Sequence, residues 1–425
     1  MTSWNALNDA KRLFMTLQEK DPQSQEIPVQ RQRIEGLEKQ LISSSAMFRE
    51  NRELWKLSWQ DIRRALKPKQ VAIEFFQAPL KEDSVVYCAL LLRHDSESPV
   101  LVPLFEQHEA QRLINTATEE FINQTYSAED NGKKLSALVW EPLIKYLHAG
   151  EAVFFAPTGL LHQLAIEALP YNDDSSIGDL FDMVRLSSTR EILFSASDIR
   201  HTSATLYGGI SYDSAPYLPG TLKEVEEIGR LLRGNSIDVQ LITAAEADKA
   251  SFHALSGRKR SILHVATHGF FRPDTMSILR TDTRNRATQM NTTGVLQTHT
   301  ADPLTRCGLL FAGANDAILT AKEISLIDLR DANLVVLSAC ETGKGEVTGE
   351  EVFGMQRAFK IAGAKTIIMS LWPVNDAATR MLMTEFYRNW LQQGQTKRQA
   401  FRNAQNAVRK TYEEPVYWAG FILLD

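Results

Sequence analysis

Apolar side chains recur at three- and four-residue intervals near the start of the chain, and the pattern changes close to residue 70. Ile34, Leu37 and Leu41, then Leu54, Leu57, Ile62 and Leu66, stand at helical spacing in a stretch rich in Gln, Glu, Lys and Arg. The spacing predicts a helical lead-in over residues 1–69, broken at Pro22 and Pro28 and stopped at Lys67-Pro68. So short a helical pair has little core of its own. It fits the end of a longer helical-repeat module, although the chain shows no internal repeat.

Beyond residue 70, short apolar runs predict strands over residues 71–76, 85–92, 100–104 and 152–156, with helices over 109–126 and 134–147. This first α/β unit spans residues 70–203. A second, over residues 204–425, has strands at 204–210, 239–242, 261–266, 334–339 and 365–370. Its helices fall at 221–232, 248–256, 350–362 and 376–393, with a last one opened by Thr396. Thr221 with Glu224 three residues on reads as a capping box. Strands alternating with helices predict a mostly parallel sheet flanked by helices. Residues 272–303 are polar and include Arg280, Arg284 and Arg286, which reads as a disordered loop, with a lid or a site of self-cleavage as the functional alternative.

Composition narrows the classes. The 425 residues carry 47 basic against 52 acidic side chains, a formal charge of −5, so neither nucleic acid nor an anionic membrane is the expected partner. The 44% apolar share excludes a mainly disordered chain, and no apolar run approaches the length of a membrane span. Without a basic head and apolar core at the start, the chain is expected to be cytoplasmic. Its three cysteines, Cys88, Cys307 and Cys340, are too few and too scattered for a disulfide framework or a zinc site.

Two strand ends carry the candidate chemistry. The runs 261–266 and 334–339 read as buried parallel strands, and they end in His268-Gly269 and Cys340-Glu-Thr-Gly343. Ligands of open α/β sheets bind at such carboxyl ends. A thiol becomes a nucleophile once an imidazole takes its proton, and the same imidazole can protonate a leaving amine. The N–H groups of Gly269 and Cys340 are candidates for an oxyanion hole. His264, in mid-strand, reads as a core or supporting group, and Cys88 and Cys307 as structural. The competing motif Gly343-Lys-Gly-Glu-Val-Thr-Gly349 has the wrong spacing for a dinucleotide turn and is crowded by Glu341, Glu346, Glu350 and Glu351.

These residues resemble a CHAT domain, a bacterial group of the caspase–separase superfamily of cysteine endopeptidases. The likeness rests on His264-Val-Ala-Thr-His268-Gly-Phe-Phe, Gly308-Leu-Leu-Phe-Ala-Gly-Ala-Asn315, Leu337-Ser-Ala-Cys340-Glu-Thr-Gly343, Phe359-Lys-Ile-Ala-Gly-Ala364, Ser370-Leu-Trp-Pro-Val-Asn-Asp376 and Tyr417-Trp-Ala-Gly-Phe421. Phe155-Ala-Pro-Thr-Gly-Leu-Leu-His162 and Glu167-Ala-Leu-Pro170 resemble the degenerate caspase-like unit that precedes the active one in such proteins. His162 has no cysteine partner there. The resemblance implies a caspase-like sheet and a regulated endopeptidase acting on a protein substrate, with His268 as base, Cys340 as nucleophile, and no metal or cofactor. It also implies control by a helical-repeat module or a separate activator protein. In separases the segment matching Leu371-Trp-Pro-Val-Asn-Asp376 supplies an acid to the pocket for a substrate arginine. That makes Asp376 the matching candidate here, with helix capping by Asn375 or Asp376 as its alternative, and leaves Trp372 between pocket and core. The alternative to an enzyme is a catalytically silent caspase-like scaffold.

Overall fold

The computed structural model describes residues 56–81, 84–115, 118–194, 201–213, 215–271, 303–314, 316–339, 345–348 and 351–425, with shorter pieces between residues 6 and 44. Sixteen strands are present among them: β1 (Gln70–Lys81), β2 (Ser84–Arg93), β3 (Val100–Glu106), β4 (Ala152–Ala156), β5 (Asp182–Arg185), β6 (Ser203–Ile210), β7 (Asp238–Ala244), β8 (Ile262–Ala266), β9 (Gly269–Phe271), β10 (Cys307–Leu310), β11 (Ile318–Thr320), β12 (Leu334–Ser338), β13 (Gly345–Thr348), β14 (Glu351–Gly354), β15 (Thr366–Ser370) and β16 (Phe421–Leu424).

Eleven of them form one sheet, in the order β3-β2-β1-β4-β5-β16-β15-β12-β8-β6-β7. Every position of β8, β12 and β15 is buried, the sign of parallel strands covered by helices on both faces. The two predicted α/β units therefore meet edge to edge, joined through the parallel pair β5 and β16 and the antiparallel pair β16 and β15. Because β1, β4, β5 and β16 run parallel to one another and β16 opposes β15, β1, β4 and β5 run against β15, β12, β8, β6 and β7. The carboxyl end of β4, which leads to His162, thus lies at the opposite edge of the sheet from the carboxyl end of β8, which leads to His268.

Seven of the helices bear on the lead-in or on the site: α1 (Glu26–Ser44), α2 (Trp59–Ala65), α3 (Pro219–Gly234), α4 (Lys249–His253), α5 (Met355–Ala362), α6 (Asp376–Gln392) and α7 (Lys397–Thr411). The described parts of residues 1–69 include α1 and α2; Pro28, expected to break the lead-in, instead lies in the first turn of α1, where its missing donor is tolerated, and the Ile62 and Leu66 side chains cluster with Ala72, Leu92 and Phe154. Asn375 caps α6 by accepting from the N–H of Ala377 at 2.9 Å, and Thr396 with Gln399 forms a capping box on α7. Asp248 opens α4 by accepting from the N–H of Ser251 at 2.7 Å. Gly363 closes α5 at φ 100°, a left-handed conformation that glycine adopts without strain. Among the described residues no helix is long and apolar enough to cross a membrane.

Several local expectations are corrected. α3 begins at Pro219, so Thr221 sits inside it rather than capping it. The Thr221 hydroxyl donates to Leu218 O at 2.7 Å and accepts from Gly209 N–H at 2.9 Å, while Glu224 turns to the sheet. The helix expected over 350–362 is shortened to α5 by the β13–β14 hairpin. The two helices expected over 109–126 and 134–147 are four (Gln107–Gln111, Glu119–Tyr126, Asn131–Val139 and Glu141–Ile144). Thr118 opens a new helix by accepting from Phe121 N–H, and Pro142 starts another where its missing donor costs nothing.

Two buried groups make stability fall in acid. Burial tends to raise the Glu151 carboxyl, but Arg93 at 2.7 and 2.8 Å and the His148 N–H at 2.9 Å outweigh it and hold it down to about 2. Burial, with the charge of Arg185 adding to it, pushes His162 down to about 3. An imidazole that stays neutral when folded loses ground to the unfolded chain once pH drops below its ordinary value of 6.5. A carboxylate held ionised does the same as pH falls from its ordinary 4.5 toward 2. The melting temperature is expected to decline in those two windows. Glu151→Gln should flatten the lower window and His162→Met the upper; parallel pH profiles in all three proteins would refute both assignments.

Candidate active site

His268 lies just beyond the carboxyl end of β8, beside the segment that leaves β6. The His268 Nε2 atom lies 2.8 Å from the carbonyl oxygen of Pro216. A carbonyl only accepts, so Nε2 carries a proton, and in the neutral imidazole the lone pair is then on Nδ1. The Tyr212 ring meets the imidazole edge to face, with centroids 4.8 Å apart. Thr267 Oγ1 donates to Leu310 O, so its 2.7 Å contact with Tyr212 Oη is a hydrogen bond donated by the tyrosine. Burial pushes the Tyr212 hydroxyl pKa up, which keeps it protonated. His268 O in turn accepts from Leu310 N–H at 2.9 Å. Tyr212 and Pro216 were not found from the sequence; the one signal pointing at them is their place just beyond β6, a strand neighbouring that of His268.

Gly269 lies on β9, the edge strand of the three-stranded sheet β11-β10-β9. The bond from Leu310 N–H to His268 O makes the next pair, Gly269 and Leu309, a non-hydrogen-bonded one. The Gly269 N–H therefore points away from β10, toward the open edge.

Cys340 lies outside the described residues. The strand leading to it is fixed up to Ala339, whose carbonyl accepts from Ser370 Oγ at 2.5 Å. β12 pairs with β8 in parallel register, Ser338 opposite Ala266. Cys88 and Cys307 are buried in β2 and β10.

The remaining candidates separate. Asp376 is exposed on the first turn of α6, and a Cβ added to Gly220 would stand 2.8 Å from its Oδ2. The segment 216–220 thus runs from His268 to Asp376. The cap of α6 is Asn375. Trp372 belongs to the core: it is fully buried, its Nε1 donates to Val416 O at 2.9 Å, and its ring lies 5.5 Å from that of Tyr126. No face of its ring is left to line a solvent-open pocket. His264 is also fully buried, 2.9 Å from Glu224 Oε1 and 3.3 Å from Tyr387 Oη. His162, at the opposite sheet edge, has no hydrogen-bond partner for Nδ1 among the described residues. The loop 272–303 lies almost wholly outside them. Of the motif Gly343–Gly349, residues 345–348 form a strand of a hairpin.

The family model of the CHAT domain matches residues 129–424. Tetratricopeptide repeat protein 28 of Mus musculus is 36% identical over 113 residues, which is 26% of this chain and 4% of that protein. The Homo sapiens protein of the same name is 35% identical over 111 residues, again 26% and 4%. The chain thus spans a small fraction of the length of these relatives. Separase in its complex with securin from Saccharomyces cerevisiae is similar at a TM-score of 0.51 and 10% identity, over 85% of this chain and 30% of that one. At that identity the likeness shows the fold, a large mostly parallel caspase-like sheet flanked by helices.

Proposed function

The chain belongs to the CHAT domain family, and from that premise we propose that it is a cysteine endopeptidase, cutting a protein substrate with Cys340 as nucleophile and His268 as base. The observation that carries this reading is the register of β8 and β12. Ser338 is opposite Ala266 on neighbouring strands about 4.8 Å apart, and in the sequence Cys340 and His268 each follow two residues after these paired positions.

In this reading the free Nδ1 of His268 takes the proton of the Cys340 thiol, and the sulfur attacks the scissile carbonyl carbon. Pro216 O holds the ring in the tautomer that leaves Nδ1 available, and it stabilises the imidazolium once formed. The N–H of Gly269 and that of Cys340 receive the developing oxyanion. His268 then passes its proton to the departing amine, and a water activated by the same imidazole hydrolyses the thioester. Residues 204–425 form the protease unit and residues 70–203 a degenerate caspase-like partner to it. The helical lead-in is where a helical-repeat regulator or a separate activator would join, in keeping with relatives named for tetratricopeptide repeats.

A panel of peptidyl acyloxymethyl ketones tests the activity. Covalent labelling confined to the Cys340 peptide is the expected result; failure of every member to label it, with candidate activator proteins added, would favour the silent scaffold. Asp376 is proposed to receive a substrate arginine through a bidentate ion pair. Asp376→Asn is then expected to lower kcat/KM for arginyl peptides about hundredfold while sparing neutral ones. Equal losses on both would remove Asp376 from the pocket.

A further inference from the structure

The mechanism leaves unused a set of polar side chains sealed in the core beneath the site. His264 has no exposed surface and Glu224 is 3% exposed, and the two meet at 2.9 Å through Nε2 and Oε1. The other imidazole nitrogen lies 3.3 Å from Tyr387 Oη, on a tyrosine that is also fully buried. Burial, with the charge of Glu224 adding to it, pushes the Tyr387 hydroxyl pKa well up, so it stays a donor. The roles are complementary: Tyr387 donates to Nδ1, and Nε2–H donates to the carboxylate. Apolar side chains of the same volume would fill this space without the desolvation cost of burying polar groups, so packing alone does not explain the set.

Its three members sit on three elements, and each element carries one part of the site. His264 is on β8, four residues before His268. Glu224 is on α3, directly behind the 216–220 segment that supplies Pro216 O and touches Asp376. Tyr387 is on α6, which begins with Asp376. We propose that Glu224, His264 and Tyr387 are positioning residues, a buried clamp that fixes β8, α3 and α6 against one another and so sets His268 relative to Pro216 O and Asp376. This rests on the reading of His268 and Cys340 as a dyad.

The experiment measures how fast iodoacetamide alkylates Cys340, followed on its peptide by mass spectrometry from about pH 5 to about pH 9, a range that brackets the ordinary thiol and imidazole values. Thermal melting is measured beside it. His268→Ala is expected to remove the fast alkylation at low pH; if its profile equals that of the unaltered protein, the dyad itself fails. With that loss in hand, His264→Leu is expected to slow the low-pH reaction about tenfold, because a displaced base is a poor one. His264→Gln, which keeps a donor for Glu224, should restore most of the rate at a similar melting temperature. A full alkylation rate in His264→Leu beside a lost one in His268→Ala would overturn the clamp. Should His264→Leu fail to fold, Tyr387→Phe, which removes a single hydroxyl, decides in the same assay: a partial loss supports the clamp and an unchanged profile overturns it.

Discussion

Replacing Cys340 with alanine is expected to abolish peptide cleavage, and replacing His268 with alanine to lower kcat/KM about a thousandfold. Without the Nδ1 base the thiol returns toward its ordinary pKa of about 8.5, leaving a few per cent of thiolate at neutral pH. The loss of the imidazole also leaves the departing amine without a proton donor. Most of the effect should fall on kcat, since neither side chain is proposed to bind the ground state. Tyr212→Phe belongs to the same series with a smaller effect: its ring still meets the imidazole, but the bond to Thr267 is gone. Steady-state kinetics on a cleaved peptide, with each variant shown to be folded, measures all three. Undiminished cleavage in both the Cys340 and His268 variants would sink the dyad.

Trp372→Ala is expected to act on folding rather than on specificity. Truncating a fully buried tryptophan costs about 3–5 kcal/mol through the cavity it leaves. Val416 O loses its buried donor, which adds about 1–3 kcal/mol. Against a total stability of about 5–15 kcal/mol, this is enough to unfold a large fraction of the protein. Trp372→Phe should recover the packing against Tyr126 but not the hydrogen bond. Urea unfolding distinguishes the alternatives: an unchanged midpoint together with an altered substrate preference would return Trp372 to the pocket wall.

Legibility in the sequence depends on where each interaction lies. β8 and β12 are short, mostly apolar runs, so strand type and burial could be inferred locally. β5 could not: Asp-Met-Val-Arg has a charge at each end. Arg185 is tolerated inside only because Glu167 and Leu164 O, far back in the chain, receive its guanidinium. The capping box at Thr221 and Glu224 failed for a related reason. The spacing fits a box, but Pro219 starts α3 two residues earlier, which puts Thr221 inside the helix and leaves Glu224 to meet His264 in the core. Tyr212 and Pro216 left no local mark, because their role depends on a neighbouring strand bringing His268 beside them. Trp372 was undecided because an apolar ring next to a candidate pocket looks the same in sequence whichever side it faces.

The order of the strands also bears on how the protein is made. β16, the last strand in chain order, is the one that lies between β5 and β15 in the middle of the sheet. During synthesis both halves can collapse around their own strands while the flanks of β5 and β15 stay open, each offering unpaired N–H and C=O groups to any other chain on the same ribosome cluster. The two flanks close only when residues 421–424 leave the exit tunnel. The nascent protein is therefore most exposed to misassociation just before its central seam can be filled.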